Sequence, residues 1–358
     1  MIMADKVLMK GNEALAEAAI QAGCRLFFGY PITPQTELAA YMAKKMPKVD
    51  GLFLQAESEV AAINMVYGAA GAGARVMTSS SSPGISLKSE GISYIAGADL
   101  PCVIINIVRG GPGLGGIQPA QSDYFQATKG GGHGDYHMIV LAPSSVQEMV
   151  NLTSLAFDLG EIYRMPVMIM GDGMLGQMME PISFENIERR SVPEKTWATT
   201  GTKMKRKRNI INSLYITPEE LEDLVIEREK RYNVVRANEA MCEEYKTDDA
   251  DYIIAAYGTT ARIAKNAIEA LRKDGIKVGL IRPITLWPFP ADAFGKAADR
   301  VKAFLSVEMS MGQMVEDVRL AVNGKKEVYF FGRTGGMVPS PAEIIAKIKE
   351  IDGGALND

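Results

Sequence analysis

The sequence predicts an α/β protein with a doubly wound parallel sheet and a second, smaller α/β domain. Three observations support this fold class. Short continuous apolar runs alternate with helical patterns through residues 1–182, a charged stretch follows over 183–249, and the alternation returns from residue 250. Continuous apolar runs are typical of parallel strands that helices cover on both faces. A chain of 358 residues is also long enough for two domains.

The first predicted domain, residues 1–182, contains six candidate strands. They are RLFFGY (25–30), GLFLQA (51–56), ARVMTS (74–79), PCVIINIV (101–108), HMIVLA (137–142) and PVMIMG (166–171). Ligands of open parallel sheets bind at the carboxyl ends of the strands. We therefore expect polar residues from several strand ends to meet at one edge, namely residues 30–33, Glu57 with Glu59, residues 79–82 and Arg109.

The second segment, residues 183–249, is predicted to be a charged connector with one exposed helix. Thr217 and Glu220 have the spacing of a capping box, and Pro218 suits the first helical position of a helix that runs through Arg231. The basic run KMKRKR (203–208) has no interleaved aromatic residues. A solvated or partner-facing loop is therefore favoured over a nucleic-acid site.

The third segment, residues 250–358, is predicted to be the smaller α/β domain. Its candidate strands alternate with helical stretches such as GTTARIAKNAIEALRKDG, and they read DYIIAAYG, KVGLIRP, AFLSVE and VYFFG.

Composition excludes several classes of protein. A net charge of −4 with 23% charged residues gives no general reason to expect a nucleic-acid partner. No apolar run approaches membrane-spanning length and the N-terminus has no signal core, so we expect a cytoplasmic protein without a membrane partner. Cys24, Cys102 and Cys242 lie too far apart to hold an iron–sulfur cluster or zinc unaided, and the first two are expected to be buried thiols.

Two acids, Glu57 and Glu59, precede a helix of mostly small apolar residues. Helix-start chemistry, with Ser58 as the N-cap and one acid in the first turn, would explain one of them. A functional carboxylate at the buried end of the helix is the alternative. Composition and spacing leave both open.

Several motifs that suggest chemistry are weak on inspection. GDG (171–173) could open a magnesium–diphosphate motif, but no Asn follows around 195–203, so a strand-end turn is favoured and no metal site is predicted. RGGPGLGG (109–116) does not lead from a strand into a helix, as a dinucleotide-binding motif must. His133 and His137 are expected to be loop residues. The remaining set suits an enzyme whose cofactor does the chemistry, and it consists of Thr33, Glu59, the TSSSSPG stretch (78–84) and Arg109.

Four longer stretches carry a resemblance to a known family. GYPITPQTE (29–37), ESEVAAINMVYGAAGAGA (57–74), TSSSSPGISLKSE (78–90) and RGGPGLGGIQPAQSDYFQA (109–127) resemble the α-type subunit of 2-oxoacid:ferredoxin oxidoreductases. The resemblance covers nearly the whole chain, and TSSSSPG and RGGPGLGG are most similar to the branched-chain 2-oxoisovalerate (3-methyl-2-oxobutanoate) enzymes. It implies a thiamine diphosphate pyrimidine-binding domain followed by a transketolase-C-terminal-like domain. The implied reaction is oxidative decarboxylation of a branched-chain 2-oxoacid with coenzyme A to acyl-CoA, CO₂ and reduced ferredoxin, with 2-oxoglutarate or pyruvate as alternative substrates.

The resemblance also implies roles for single residues. Glu59 would be the catalytic acid at the cofactor's pyrimidine, with Glu57 in support. Thr33 and Arg109 would bind substrate; the alternative explanations are a turn before Pro34 for Thr33 and a structural salt bridge for Arg109. Cofactor contacts are expected from Ser81, Pro83 and Gly84. Asp123 could orient Arg109.

Partner chains are part of the same expectation. Thiamine diphosphate would lie at an interface, because a β-type subunit carries Mg²⁺, the diphosphate site and an iron–sulfur cluster, and a small ferredoxin-like subunit carries more clusters. Ferredoxin and coenzyme A complete the expected partners. Two other classes stay open: an acyltransferase subunit that binds coenzyme A or a nucleotide through GTT (258–260) and GRTGG (332–336) at helix N-termini, and a non-catalytic scaffold.

Overall fold

The computed structural model describes residues 6–185 and 187–354 of the chain. Eight strands lie before residue 183: β1 (Val7–Lys10), β2 (Leu26–Gly29), β3 (Leu52–Gln55), β4 (Val76–Ser80), β5 (Cys102–Val108), β6 (Ile139–Leu141), β7 (Pro166–Asp172) and β8 (Met179–Ile182). The helices of this part are α1 (Gly11–Gln21), α2 (Thr36–Lys45), α3 (Glu59–Gly71), α4 (Ser82–Gly97), α5 (Tyr124–Thr128), α6 (Val146–Tyr163) and α7 (Gly173–Gln177), with a 3₁₀ helix at Met46–Val49. All six predicted strands are present, as β2 to β7.

The rest of the chain contains one long helix, α8 (Pro218–Asn238), followed by a second α/β unit. Its strands are β9 (Cys242–Tyr245), β10 (Tyr252–Ala255), β11 (Val278–Pro283), β12 (Thr285–Trp287), β13 (Ala303–Glu308) and β14 (Glu327–Gly332). Its helices are α9 (Gly258–Lys273), α10 (Ala291–Ala298), α11 (Met314–Val322) and α12 (Pro341–Asp352). The four strands predicted here are β10, β11, β13 and β14.

The strands form two large sheets and one small one. The seven-stranded sheet has the order β12-β6-β7-β5-β4-β2-β3, and the five-stranded sheet has the order β14-β13-β10-β11-β9. Neighbours in each are parallel, except that β12 is antiparallel to β6 and β9 to β11. Every residue of β5 and β7 is buried, as their continuous apolar runs predict. The predicted α/β class with parallel sheets is confirmed.

The connector differs from its prediction in three ways. α8 begins at Pro218 as expected, but the Thr217 side chain makes no capping hydrogen bond. The helix continues past Arg231 to Asn238, because Tyr232 and Val235 are buried and hold its last turns against the protein. α8 is therefore exposed on one side only. The basic run 203–208 lies in an exposed segment without helix or strand, as predicted.

Buried polar contacts join the two α/β units. Asp172, at the end of β7, accepts hydrogen bonds from the Met174 and Leu175 amides at 2.9 and 3.1 Å, and from Thr259 Oγ1 at the start of α9 at 2.6 Å. GDG is thus a strand-end turn, as predicted, whose aspartate also ties α9 to the first sheet. Burial raises the pKa of Asp172, and these hydrogen bonds oppose that rise.

Both histidines lie in irregular segments, as expected, and His137 stacks on Trp287 with ring centroids 4.5 Å apart. Within the described ranges, no three His, Cys, Asp or Glu side chains are grouped so that they could hold a metal ion. None of the helices described is long and apolar enough to cross a membrane.

Candidate active site

The predicted polar edge exists, because the four strands that supply it are neighbours. β5, β4, β2 and β3 stand side by side in the sheet, and all are parallel. Their carboxyl ends therefore lie at the same edge, followed in the chain by Arg109, the serine run, residues 30–33 and the Glu57–Glu59 segment. The prediction that these segments meet is confirmed.

Glu59 is the first residue of α3 and is buried, with 6% of its surface exposed. Ser58 caps the helix, since its Oγ accepts a hydrogen bond from the Ala61 amide at 3.1 Å. Helix-start chemistry thus accounts for Ser58 but leaves the burial of Glu59 unexplained. In the described part of the chain no group donates a hydrogen bond to its carboxylate, although buried polar groups are normally paired. Glu57, two residues earlier, is exposed.

The serine run lies beside Glu59 at the start of α4. A Cβ atom built at Gly84 would stand 2.7 Å from Glu59 Oε1 and 2.0 Å from Ser80 Oγ, so any side chain there would displace the carboxylate. The hydroxyls of Ser80 and Ser81 are buried and have no hydrogen-bond partner among the residues that the structure describes. Pro83 is half-buried in the first turn. The structure therefore brings Ser81, Pro83 and Gly84 together with Glu59.

Arg109 and Thr33 also meet, though through the backbone of Thr33. The Arg109 guanidinium donates from Nη1 to the Thr33 carbonyl at 2.9 Å and from Nη2 to the Leu114 carbonyl at 3.2 Å. Its Nε is buried without a partner, and no carboxylate of the described residues pairs with it. The salt-bridge explanation of Arg109 is thereby removed. Thr33 does lie in a turn, and its side chain is exposed.

Asp123 does not orient the Arg109 side chain, so that prediction is wrong. Its Oδ2 accepts from Asn106 Nδ2 at 2.9 Å, Asn106 Oδ1 accepts from the Ser82 amide at 3.2 Å, and Ser82 Oγ accepts from the Arg109 amide at 3.1 Å. The carboxylate is satisfied by a neutral amide and reaches only the Arg109 backbone. Burial raises the pKa of Asp123, and its hydrogen bond from Asn106 opposes the rise.

Two residues of this edge, Asn106 and Lys88, are not among those predicted from the sequence. Asn106, on β5, links Asp123 to the serine run. Lys88, on α4, is fully buried and donates from Nζ to Thr78 Oγ1 at 2.8 Å and to the Ser79 carbonyl at 3.0 Å. Burial lowers the pKa of Lys88 to about 7, while the negative charge of Glu59 acts in the opposite direction. The signal that could have revealed it is a lysine four residues after Gly84 and three before Gly91 in an otherwise small and apolar helix.

Two protein families match the chain in sequence. The family described as pyruvate flavodoxin/ferredoxin oxidoreductase, thiamine diphosphate-binding, matches residues 17–249, and pyruvate:ferredoxin oxidoreductase core domain II matches residues 250–344. The ketoisovalerate oxidoreductase subunit VorB of Methanothermobacter marburgensis is 49% identical over 346 residues, which cover 97% of this chain and 98% of that one. The 2-oxoglutarate synthase subunit KorA of Methanocaldococcus jannaschii is 36% identical over 360 residues, covering 94% and 97%.

Solved structures agree with the sequence relatives. The 2-oxoglutarate:ferredoxin oxidoreductase of Magnetococcus marinus, with 2-oxoglutarate, coenzyme A and succinyl-CoA bound, superposes with a TM-score of 0.85 at 29% identity. The match covers 97% of this chain and 65% of that one, so the chain spans about two thirds of its length. A split-gene transketolase, an inactive β4 tetramer, matches at a TM-score of 0.59 and 14% identity, which shows the fold alone. The chain belongs to the thiamine diphosphate-dependent 2-oxoacid:ferredoxin oxidoreductases, among which it is an α-type subunit.

Proposed function

We propose that this subunit contributes the pyrimidine half of the active site in a complex that oxidatively decarboxylates 2-oxoisovalerate. The products would be an acyl-CoA, CO₂ and reduced ferredoxin. The observation that carries the proposal is the Glu59 carboxylate, buried at the polar edge with no hydrogen-bond partner in the described residues. The branched-chain substrate is supported by the higher identity to the ketoisovalerate subunit, 49%, than to the 2-oxoglutarate subunit, 36%. 2-Oxoglutarate and pyruvate are the alternative substrates.

The residues at this edge fit thiamine diphosphate. Glu59 offers an unpaired carboxylate to a ring nitrogen, and Ser80 and Ser81 offer unpaired hydroxyls beside it. Gly84 lets the carboxylate keep its place, because a side chain there would collide with it. Glu59, Ser81, Pro83 and Gly84 are the residues that would hold the pyrimidine end, with Glu57 in an exposed supporting position.

The cofactor, when bound, supplies the nucleophilic carbon for the keto group and accepts the electron pair that CO₂ leaves behind. The role of this chain would be to provide Glu59, whose carboxyl oxygen shares a proton with the pyrimidine N1′. A buried site of low dielectric strengthens that hydrogen bond. Arg109 would bind the substrate carboxylate, because its half-buried guanidinium uses only two of its five donors for the Thr33 and Leu114 carbonyls. The exposed Thr33 hydroxyl would donate to the same carboxylate or to the keto oxygen.

The diphosphate, Mg²⁺ and the iron–sulfur clusters are assigned to partner chains in this proposal. Support comes from large apolar side chains that are exposed around the edge: Val60 at 47%, Leu87 at 54% and Leu114 at 87%. Exposed apolar surface of this kind is typical of an interface. The expected partners are a β-type subunit, a ferredoxin-like subunit, ferredoxin and coenzyme A, with no nucleic acid or membrane. A cytoplasmic location stays a prediction, and the three free cysteines are compatible with it.

The acyltransferase alternative lacks a free anion site in the described residues. At GTT (258–260), Thr259 already bonds the Asp172 carboxylate, and in GRTGG (332–336) Arg333 pairs with Glu343 at 2.7 Å. A cavity of about 890 Å³ between the two units has basic side chains in its wall, but each is paired with a carboxylate. A scaffold role would give no reason for a carboxylate that is buried at this edge without a hydrogen-bond partner among the described residues.

The test is to co-purify the complex and to measure viologen reduction that depends on a 2-oxoacid. We expect activity to require thiamine diphosphate and coenzyme A, with 2-oxoisovalerate preferred over pyruvate and 2-oxoglutarate. Equal rates, or a preference for 2-oxoglutarate, would contradict the branched-chain assignment and leave the family role intact. Activity without thiamine diphosphate would contradict the role assigned to the Glu59 edge.

A further inference from the structure

We propose that Lys88 is a positioning residue that holds the Glu59 carboxylate in its charged form from within the interface between α3 and α4. The inference rests on the proposed function of Glu59. It concerns a residue of this chain that would act through Glu59 and would not itself touch substrate.

The packing of the two helices places Lys88 opposite Glu59. A Cβ at Gly84 would lie 2.7 Å from Glu59 Oε1, and a Cβ at Gly91 would lie 2.4 Å from Ile63 Cγ2. Gly84, Lys88 and Gly91 follow one another at helical spacing, as Glu59 and Ile63 do on α3. Lys88 therefore lies on the side of α4 that faces α3, between the two points of closest approach.

The direction of the side chain adds to this placement. Helical side chains lean towards the N-terminus of their helix, and the Lys88 amine reaches the end of β4, where it bonds Thr78 and Ser79. Ser80, the next residue, lies against the same point as the Glu59 carboxylate. The amine thus ends in the wall behind Glu59, away from solvent.

The amine has a structural role, because it donates to the Thr78 hydroxyl and the Ser79 carbonyl. A neutral donor would fill that role without the cost of removing a charge from water. Burial lowers the pKa of Lys88 to about 7, so the amine carries charge for part of the time at neutral pH. The charged or titratable groups that act on it are Glu59 from α3 and Cys102 from β5, and burial raises the pKa of the Cys102 thiol to about 12. Cys102 is therefore neutral near pH 7, and Glu59 is the partner charge.

The consequence is a carboxylate whose charge depends on its neighbour. A cation behind a buried carboxylate favours its charged form, which can accept a hydrogen bond from a ring N–H. Without that cation, burial favours the protonated carboxyl. Removal of the Lys88 charge should therefore raise the pH at which Glu59 takes up its proton.

Lys88→Gln is the informative variant, because it keeps a hydrogen-bond donor between α3 and α4 but carries no charge. Lys88→Met is the second, and it serves if the first does not fold. Lys195→Met is the matched control, since Lys195 pairs with Glu161, another buried carboxylate, at 2.5 Å and far along the chain from this edge.

The first measurement uses the full chain without cofactor. Difference infrared spectra between low and high pH report the carbonyl stretch of protonated carboxyl groups, and Glu59→Gln assigns the band of Glu59. We expect the Glu59 band to titrate about one pH unit or more higher in both Lys88 variants than in the wild type. Lys195→Met should leave it in place.

The second measurement is the pH profile of kcat/KM for the complex. Its acidic limb should move to higher pH by a similar amount in both Lys88 variants, and it should not move in Lys195→Met. Folded Lys88 variants with an unchanged Glu59 band and an unchanged profile would overturn the proposal. Full activity of Glu59→Gln would instead overturn the proposed function, so the two failures are distinct.

Discussion

Glu57 and Glu59 stand two residues apart, yet the fold gives them opposite surroundings. The Glu57 side chain is exposed, whereas Glu59 is buried against Ser80 and Gly84. An amide cannot exchange a proton with a ring nitrogen as a carboxyl group can. We therefore expect Glu59→Gln to lower kcat of the complex by about 100-fold or more while folding and assembly are kept. Glu57→Gln is the control and should retain most activity. Equal losses in the two variants would contradict the assignment.

The Arg109 guanidinium donates to two loop carbonyls, while its buried Nε has no partner among the described residues. An ammonium group lacks this planar set of donors. Arg109→Lys should keep the charge but lose the planar set of donors. We expect kcat/KM for 2-oxoisovalerate to fall by about tenfold or more, as measured by steady-state kinetics. Arg319→Lys is the control, because Arg319 also donates to a backbone carbonyl but lies on α11. A wild-type value for Arg109→Lys would leave the arginine a loop-holding role only.

Lys88 should make the free energy of unfolding of the chain rise with pH above 7. Its pKa in the folded chain is lowered to about 7 from an ordinary value of 10.5, so the unfolded chain binds the extra proton between these values. The free energy of unfolding should therefore rise with pH above 7, by up to about 1.4 kcal/mol per pH unit from this group. Denaturant unfolding at pH 7, 8 and 9 measures it.

The control for this pH dependence is Lys88→Met, in which the rise from Lys88 should be absent. Cys24 and Cys102 act in the other direction above about pH 9, because burial raises the pKa of both thiols to about 12. They are present in both proteins, so the difference between wild type and variant isolates the lysine. Equal slopes from pH 7 to 9 in the two proteins would show that Lys88 stays charged in the folded chain.

At the scale of elements, the contact between α3 and α4 depends on glycines that leave room for the other helix. A Cβ at Gly91 would lie 2.4 Å from Ile63, whereas a Cβ at Gly68, inside α3, would meet nothing within 4 Å. Gly91→Ala should therefore destabilise the chain by about 1–3 kcal/mol. Gly68→Ala is the matched control and should stabilise it by about 0.5–1 kcal/mol, because alanine is the better helix former. Thermal unfolding of the two variants should move in opposite directions.

The sequence predicts the elements that carry strong local signals and misses those that depend on distant partners. β2 to β7 are continuous apolar runs and were all expected, as was the edge where their ends meet. β1 and β8 form a separate two-stranded sheet from opposite ends of residues 1–182, with Val7 opposite Ile182, and Val7 and Leu8 are exposed. β12 is three residues long, stands just before Pro288 and pairs with β6 far earlier in the chain. Nothing local identifies such strands.

The same distinction holds for side chains at the candidate site. Glu59 could be singled out because an acid at the head of an apolar helix is unusual wherever that helix packs. Lys88 has a weaker signal, its spacing from Gly84 and Gly91, because a lysine is normally a surface residue and its burial depends on how α3 meets α4. Asp123 has two polar partners within reach, Asn106 and Ser82, and the choice between these and Arg109 is made by tertiary geometry.

At the scale of the whole molecule, the two α/β units are locked together while the polar edge is left open. Gln121 donates to the Tyr257 carbonyl at 2.9 Å, Thr259 bonds Asp172, and Tyr124 bonds Asp317 at 2.5 Å, all in buried surroundings. The edge near Glu59, by contrast, has Val60, Leu87 and Leu114 exposed. Exposed apolar side chains of this kind are typical of an interface, which supports the proposal that another chain covers this edge.

The isolated chain should therefore bind thiamine diphosphate weakly and acquire tight binding only with its β-type partner. Most of the cofactor's charge is on the diphosphate, so the electrostatic anchoring of that end should dominate affinity. The residues proposed to hold the cofactor here, Glu59 with Ser81 and Gly84, suit the pyrimidine. Calorimetry with thiamine diphosphate and Mg²⁺ should show weak binding to the chain alone and strong binding to the assembled complex.

A variant separates the two ends of the cofactor in that measurement. Glu59→Gln in the complex should weaken binding only modestly, because the diphosphate contacts lie on the other chain, although activity should fall by about 100-fold or more. The purified chain alone should also show no visible iron–sulfur absorbance. Tight, Mg²⁺-dependent binding to the isolated chain would mean that its own residues include a diphosphate site, and the division of the cofactor between two chains would then be wrong.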